Sequence, residues 1–165
     1  MADHESIQKL AAVLVADLTD AGKAVSTAES CTGGWVAKAI TDIPGASAVF
    51  HYGIVSYSNG AKEQMLGVQN PVIEEHGSVS EPVVEEMANG ALNLSGADIS
   101  IAVSGVAGPD GGSKEKPVGT VWFAWSVRDG GKVRTDTSCQ HFDGDRDLVR
   151  ELTVVHALQG VMDRL

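Results

Sequence analysis

Ser30 lies in the segment Thr27-Ala28-Glu29-Ser30-Cys31-Thr32-Gly33-Gly34, where a short strand gives way to a helix. A serine at a strand-to-helix junction sits among converging backbone donors. The first amides of a helix have no acceptor of their own, and the helix dipole favours negative charge there. Gly33 and Gly34 permit close approach of a ligand. Such a junction can hold the oxyanion of acyl transfer, with Ser30 as nucleophile and donors from Cys31, Thr32, Gly33 and Gly34. It can equally cradle a phosphate. The local pattern alone slightly favours a plainer role, a capping hydroxyl on Ser30 or Thr32, because capping serines outnumber catalytic ones. Neither G-x-S-x-G nor S-x-x-K frames Ser30. Cys31 is an alternative nucleophile at the same helix start, ranked below Ser30.

A nucleophilic serine needs a base. Five histidines are present, His4, His51, His76, His141 and His156, none in a recognisable pairing context. A lysine serves if burial lowers its pKa from about 10.4 towards 7–8. Lys62 is the candidate, in Ser56-Tyr57-Ser58-Asn59-Gly60-Ala61-Lys62, and the Tyr57 hydroxyl can relay or orient a proton. On spacing alone a solvated lysine and an ordinary strand aromatic are the commoner outcomes.

Two further segments suit an anion. Ser104-Gly105-Val106-Ala107-Gly108-Pro109-Asp110-Gly111-Gly112 leaves a strand end and is rich in glycine. Successive N–H groups in such loops form anion nests, so Gly108, Gly111 and Gly112 are phosphate candidates, as against a plain mobile loop. Neither a Walker loop nor G-x-G-x-x-G is present. Arg146 lies in Phe142-Asp143-Gly144-Asp145-Arg146-Asp147. A cation in the first turn of a helix opposes the dipole. It therefore pairs with its aspartate neighbours or binds a phosphate or carboxylate. No metal-ligand spacing appears, so no metal and no cofactor are expected.

The elements that must position these residues follow from periodicity. Residues 4–21 carry Ile7, Leu10, Ala11, Leu14 and Leu18 at helical spacing, closed by Gly22. A short strand over 24–28 and a helix over 32–42 flank Ser30. A β-branched and aromatic run over 47–57 reads as a strand. Asn59 caps a short helix through Leu66, and Ser80 caps a longer one with Pro82 in its first turn. A strand over 98–104 precedes the glycine loop. A hairpin pairs 118–127 with 132–142, and a helix starts at Arg146, capped by Asp143 or Asp145. The expected fold is a layered α/β domain with a mixed sheet, in one domain over residues 1–165.

Composition narrows the partners. Of 165 residues, 12 are Lys or Arg against 22 Asp or Glu, a net charge of −10, with no basic stripe of the kind nucleic-acid binding needs. Apolar runs are too short for a membrane span, and the N-terminal residues lack a signal-peptide pattern. Two cysteines without a metal or disulfide pattern suit a cytoplasmic protein.

Six motifs in order resemble the C-terminal domain of the CinA family. They are Thr27–Gly34, Tyr57-Ser58-Asn59 with Lys62, Gly77-Ser78-Val79-Ser80, Ser104–Gly112, Lys116-Pro117-Val118-Gly119-Thr120-Val121 and Gly144-Asp145-Arg146. The resemblance covers roughly residues 5 to 163. It implies a three-layer α/β/α sandwich with a mixed, mainly parallel sheet and a C-terminal hairpin plus helix. It also implies hydrolysis of nicotinamide mononucleotide (NMN) to nicotinic acid mononucleotide and ammonia, by Ser30 and Lys62 assisted by Tyr57. A homo-oligomer is implied as well. Gly60 departs from the pattern, standing where a helix former is expected. Should the helix start after Ser30 bind the phosphate, the oxyanion donors would come from the Ser104-Gly105 turn. Two other readings remain: a nucleotide-binding or regulatory module without catalysis, and an amidase acting on another small amide.

Overall fold

The computed structural model describes residues 3–165; the Met1-Ala2 start of the expected leader-free N-terminus lies outside them. The chain runs α1 (His4–Ala21), β1 (Val25–Glu29), α2 (Trp35–Thr41), β2 (Phe50–Val55), α3 (Asn59–Leu66), α4 (Asn70–His76), α5 (Glu81–Ser95), β3 (Ile99–Gly105), β4 (Thr120–Asp129), β5 (Lys132–His141) and α6 (Arg146–Met162). The five strands form one sheet in the order β2-β1-β3-β4-β5. β1 pairs in parallel with β2 and β3, while β3–β4 and β4–β5 are antiparallel. Only β4 therefore runs against the rest, and the sheet is mixed as expected.

The two faces of the sheet carry side chains of different size, which sets the layers. Ala28, Ala102 and Ala124 align across β1, β3 and β4, and so do Ser26, Ser100 and Ser126. Alternation puts both rows on one face. That face packs against α5 through Val83, Val84, Met87, Ala88 and Ala91. Small residues let the α5 backbone come close: Ser100 Oγ donates to the Ala88 carbonyl at 2.6 Å. The opposite face presents Ile99, Ile101, Val103, Phe123 and Trp125 to α1, α2 and α6. The result is the α/β/α sandwich, with α3, α4 and α5 on one side.

Helix ends follow local chemistry. Asp3 caps α1 by accepting from the Ser6 N–H, and Gly22 closes it in the left-handed conformation. Asp145, of the two aspartates expected, caps α6 through the Leu148 N–H. Ser58 rather than Asn59 caps α3. Ser80 occupies the N-cap position of α5, but its hydroxyl donates to the Gly77 carbonyl instead. The helix expected over 32–42 is confined to Trp35–Thr41, because Gly33 and Gly34 adopt φ values of +61° and +100°.

Candidate active site

The three parallel strands that lie side by side end at one edge of the sheet. β1 delivers Ser30, β2 delivers Ser56 and Tyr57, and β3 delivers Ser104 and Gly105. This is where ligands bind in open α/β sheets. Ser30 is fixed to β3 by its N–H, which donates to the Val103 carbonyl at 3.1 Å.

Lys62 comes from α3. It and Leu66 are the two buried residues of that helix and, four apart, share one face. Lys62 is 1% exposed and Ser30 is 8% exposed, so Lys62 is not the solvated lysine of the plainer reading. Its Nζ lies 3.0 Å from Ser30 Oγ, 2.9 Å from the Ser56 carbonyl and 3.0 Å from the Tyr57 carbonyl. Burial lowers the Lys62 pKa from its ordinary value. A neutral amine has two N–H bonds and one lone pair. With both N–H bonds drawn to the two carbonyls, the lone pair is left facing the Ser30 hydroxyl.

Tyr57 takes part differently from the sequence expectation. Its carbonyl touches Lys62 and, at 3.4 Å, accepts from Ser30 Oγ. Tyr57 is 58% exposed, and its hydroxyl accepts from Arg146 Nη2 at 3.2 Å. Arg146 also donates through Nη1 to the Gly108 carbonyl at 2.7 Å. It makes no ion pair with its aspartate neighbours among the described residues. Arg146 thus joins the start of α6 to the glycine loop and to Tyr57.

The glycines of that loop divide by cause. A Cβ at Gly108 would lie 2.5 Å from the Val118 side chain, and one at Gly112 would lie 2.8 Å from the Val118 nitrogen. Packing against Val118 accounts for both. At Gly105 a Cβ would meet Val121 at 2.7 Å and the Thr120 carbonyl at 2.9 Å, so β4 excludes a side chain there. Gly111 has only an ordinary contact, 3.7 Å to Val106, and a φ of +89°. Ser104 Oγ donates to the Ser78 carbonyl at 2.8 Å.

Two residues not singled out from the sequence complete the site. Glu29, 1% exposed, turns its carboxylate onto the start of α2. It accepts from Thr32 Oγ1 at 2.6 Å, Val36 N at 2.8 Å and Ala37 N at 3.0 Å. Burial raises its pKa above the ordinary carboxylate value, against the lowering effect of these bonds. The first amides of α2 are therefore occupied by a protein carboxylate, and neither an oxyanion nor a phosphate has access to them. Arg150, on α6, donates through Nε to the Cys31 carbonyl and through Nη2 to the Thr32 carbonyl, each at 3.1 Å. The signals lie in the sequence: Glu29 shares one face of β1 with Val25 and Thr27, and Arg150 lies one helical turn after Arg146.

The turn after Ser30 supplies the remaining donors. Gly33 N–H donates to the Ser30 carbonyl at 3.0 Å. The N–H groups of Cys31 and Thr32 meet no acceptor among the described residues. Cys31 itself is buried, with its thiol pKa pushed up to about 12, chiefly by desolvation. It is a poor nucleophile in that state. A cavity of about 500 Å³ lies beside the turn between Trp35, Lys38 and Arg150, and Ser30 is not among its lining residues.

The fold and site define an α/β/α sandwich with a buried serine–lysine pair at the carboxyl edge of its parallel strands. The sequence matches the CinA C-terminal domain over residues 7–165. It is 59% identical to the nicotinamide-nucleotide amidohydrolase PncC of Escherichia coli K12 over 138 residues, 84% of this chain and 82% of that one. It is 53% identical to the PncC of Enterobacter agglomerans over 156 residues, 94% and 93% of the two chains. Among solved structures, a CinA superfamily protein of E. coli superposes with a TM-score of 0.90 at 38% identity, covering 100% of this chain and 94% of that one. A competence/damage inducible protein of Agrobacterium tumefaciens superposes with a TM-score of 0.89 at 44% identity, covering 95% and 94%. The chain belongs to the CinA C-terminal domain family.

Proposed function

We propose that this protein hydrolyses the carboxamide of NMN to nicotinic acid mononucleotide and ammonia, in pyridine nucleotide recycling, through a Ser30–Lys62 acyl-enzyme. The observation that carries the mechanism is the buried 3.0 Å contact between Lys62 Nζ and Ser30 Oγ. The substrate comes from the similarity to the PncC enzymes, which are named for this activity.

Neutral Lys62 takes the Ser30 proton as Oγ attacks the carboxamide carbon. The N–H groups of Cys31 and Thr32 receive the oxyanion; one such donor is typically worth about 2.7–4 kcal/mol in the transition state. The tetrahedral intermediate collapses as Lys62 passes its proton to the departing nitrogen, releasing ammonia and leaving a nicotinoyl ester on Ser30. Water then attacks the ester, gives a proton to Lys62, and Lys62 returns it to Ser30 Oγ. Tyr57 orients the pair through its carbonyl and links it to Arg146 through its hydroxyl. Arg146 anchors the substrate phosphate with the loop of Gly108, Gly111 and Gly112. Two of its five N–H donors are used within the protein, leaving the others for ligand.

The experiment is incubation of the purified protein with NMN, measuring ammonia and nicotinic acid mononucleotide, with free nicotinamide as control. Turnover of NMN is expected, with none for Ser30→Ala or Lys62→Met. Wild-type ammonia release by Ser30→Ala would refute the acyl-enzyme. A Lys62→Met variant that keeps its kcat and loses only affinity would make Lys62 a binding residue. The reading includes a single-domain, cytoplasmic homo-oligomer; elution at the monomer mass of 17.2 kDa would remove the oligomer from it.

A further inference from the structure

We infer that Arg150 is a positioning residue for the oxyanion donors: its guanidinium grips two successive carbonyls and so sets where the Cys31 and Thr32 N–H groups point. This rests on the Ser30 reading above and adds to it a residue that touches neither substrate nor nucleophile.

The argument is one of peptide geometry. In a planar trans peptide the N–H points opposite to the C=O of the same unit. The Thr32 N–H belongs to the unit whose oxygen is the Cys31 carbonyl, and that oxygen is held by Arg150 Nε at 3.1 Å. The Cys31 N–H belongs to the unit of the Ser30 carbonyl, which accepts from Gly33 N–H at 3.0 Å. Gly33 N–H in turn belongs to the unit of the Thr32 carbonyl, which accepts from both Arg150 Nη2 and the Trp35 N–H at 3.1 Å. Arg150 therefore holds one donor directly and the other through Gly33. The two donors without protein partners are those whose carbonyls are tied back.

The grip has a fixed base. The guanidinium lies over the Trp35 ring at 5.5 Å, which limits its rotation. Glu29 secures Thr32 Oγ1 and the start of α2 from the other side of the turn. Gly33 is in the left-handed conformation at φ +61°, so the turn has no intrinsic preference that would hold it without these contacts. A lysine keeps the charge but puts a single nitrogen on a flexible stem where Arg150 holds the two carbonyls with separate nitrogens of one rigid plane.

The test compares Arg150→Met and Arg150→Lys with wild type, using NMN and its aldehyde analogue, in which the carboxamide is replaced by CHO. Ser30 adds to the aldehyde to form a hemiacetal whose oxygen occupies the oxyanion position. For Arg150→Met, kcat is expected to fall about 10- to 100-fold, less than or comparable with loss of one donor. KM for NMN should stay within about threefold. The inhibition constant of the aldehyde should rise by the same factor as kcat/KM falls. Arg150→Lys should recover only part of the rate, and it serves as the test if the methionine variant does not fold by circular dichroism. An unchanged kcat, a raised KM with kcat kept, or full recovery by lysine would overturn the inference. Ser30→Ala is measured alongside. If it is inactive while Arg150→Met retains wild-type kcat, Arg150 alone is misassigned. If Ser30→Ala turns over, the Ser30 reading and this inference fall together.

Discussion

Replacing Gly90 with alanine tests whether the Lys62–Ser30 distance limits the rate, from a position that touches neither residue. Gly90 lies on α5, where α3 crosses it. A Cβ there would sit 2.1 Å from the Leu66 carbonyl oxygen, 2.9 Å from its carbon and 3.1 Å from its Cα. These are backbone atoms at the end of α3 and cannot rotate aside. Reaching ordinary contact requires α3 to move by about 1 Å, a repacking that typically costs ~1–3 kcal/mol. Alanine in a helix interior returns ~0.8–1.0 kcal/mol of propensity, so the net change is a destabilisation of ~0–2 kcal/mol. Lys62 is one turn before Leu66 on the same face, and α3 carries it along. A misplacement of that size typically lowers kcat by ~100-fold. The assays are ammonia release from NMN and a thermal melt. A melting temperature lowered by no more than ~8 °C with a large loss of kcat is expected. A Gly90→Ala protein that melts as above and retains wild-type kcat would refute the claim that catalysis depends on this contact.

Gly60, also on α3, is the counterpart: its Cβ would meet only Ser58 Oγ at 4.0 Å. Gly60→Ala should raise stability by ~0.5–1 kcal/mol with kcat unchanged, read by urea titration and turnover. The Lys62 pKa is lowered by burial, and the proposed mechanism uses the amine in its neutral form. kcat/KM should therefore rise with pH through a group titrating below the usual 10.5 of lysine, a limb seen in a pH–rate profile; a rate falling with pH over that range would contradict the assignment. Glu29 has its folded-state pKa raised by burial, so its linked stability is fully present below the unfolded value and is lost as pH rises through the folded one. Wild type should lose stability relative to Glu29→Gln as pH increases from below 4.5, measured by denaturant unfolding at several pH values. Arg146→Met should raise KM for NMN far more than it lowers kcat, and a KM unchanged by the substitution would remove Arg146 as the phosphate anchor.

Periodicity and end signals made the long elements legible. The bounds of α1 and the starts of α5 and α6 follow from apolar spacing, Pro82, Gly22 and Asp145. The alignment of three alanines and three serines across the sheet also lies in the sequence, but only the register shows that they form one face. α4 is not legible, since seven residues beginning at Asn70-Pro71 carry too few apolar repeats. The helix after Ser30 is shorter than its apolar spacing suggests, because Gly33 and Gly34 take left-handed φ values. At the site, Ser30 and Lys62 could be named from residue type and motif, yet their separation depends on how α3 packs against α5, which no spacing encodes. Glu29 does not stand out in the sequence, because it lies inside the motif that carries Ser30. Its carboxylate takes the Val36 and Ala37 amides of α2, which leaves only the turn before that helix open to a ligand.

The contacts around Ser30 have a consequence for the order in which the protein is made. Serine and lysine are both synthesised within the first 62 residues, but Ser30 is tied to Val103, and the guanidinium that holds its turn belongs to residue 150. Lys62 approaches from one helical layer and Arg150 from the other. A nascent chain therefore contains both reactive groups long before it contains a working site. No N-terminal fragment ending before α6 should turn over NMN at the full rate, so activity reports completed assembly of all three layers.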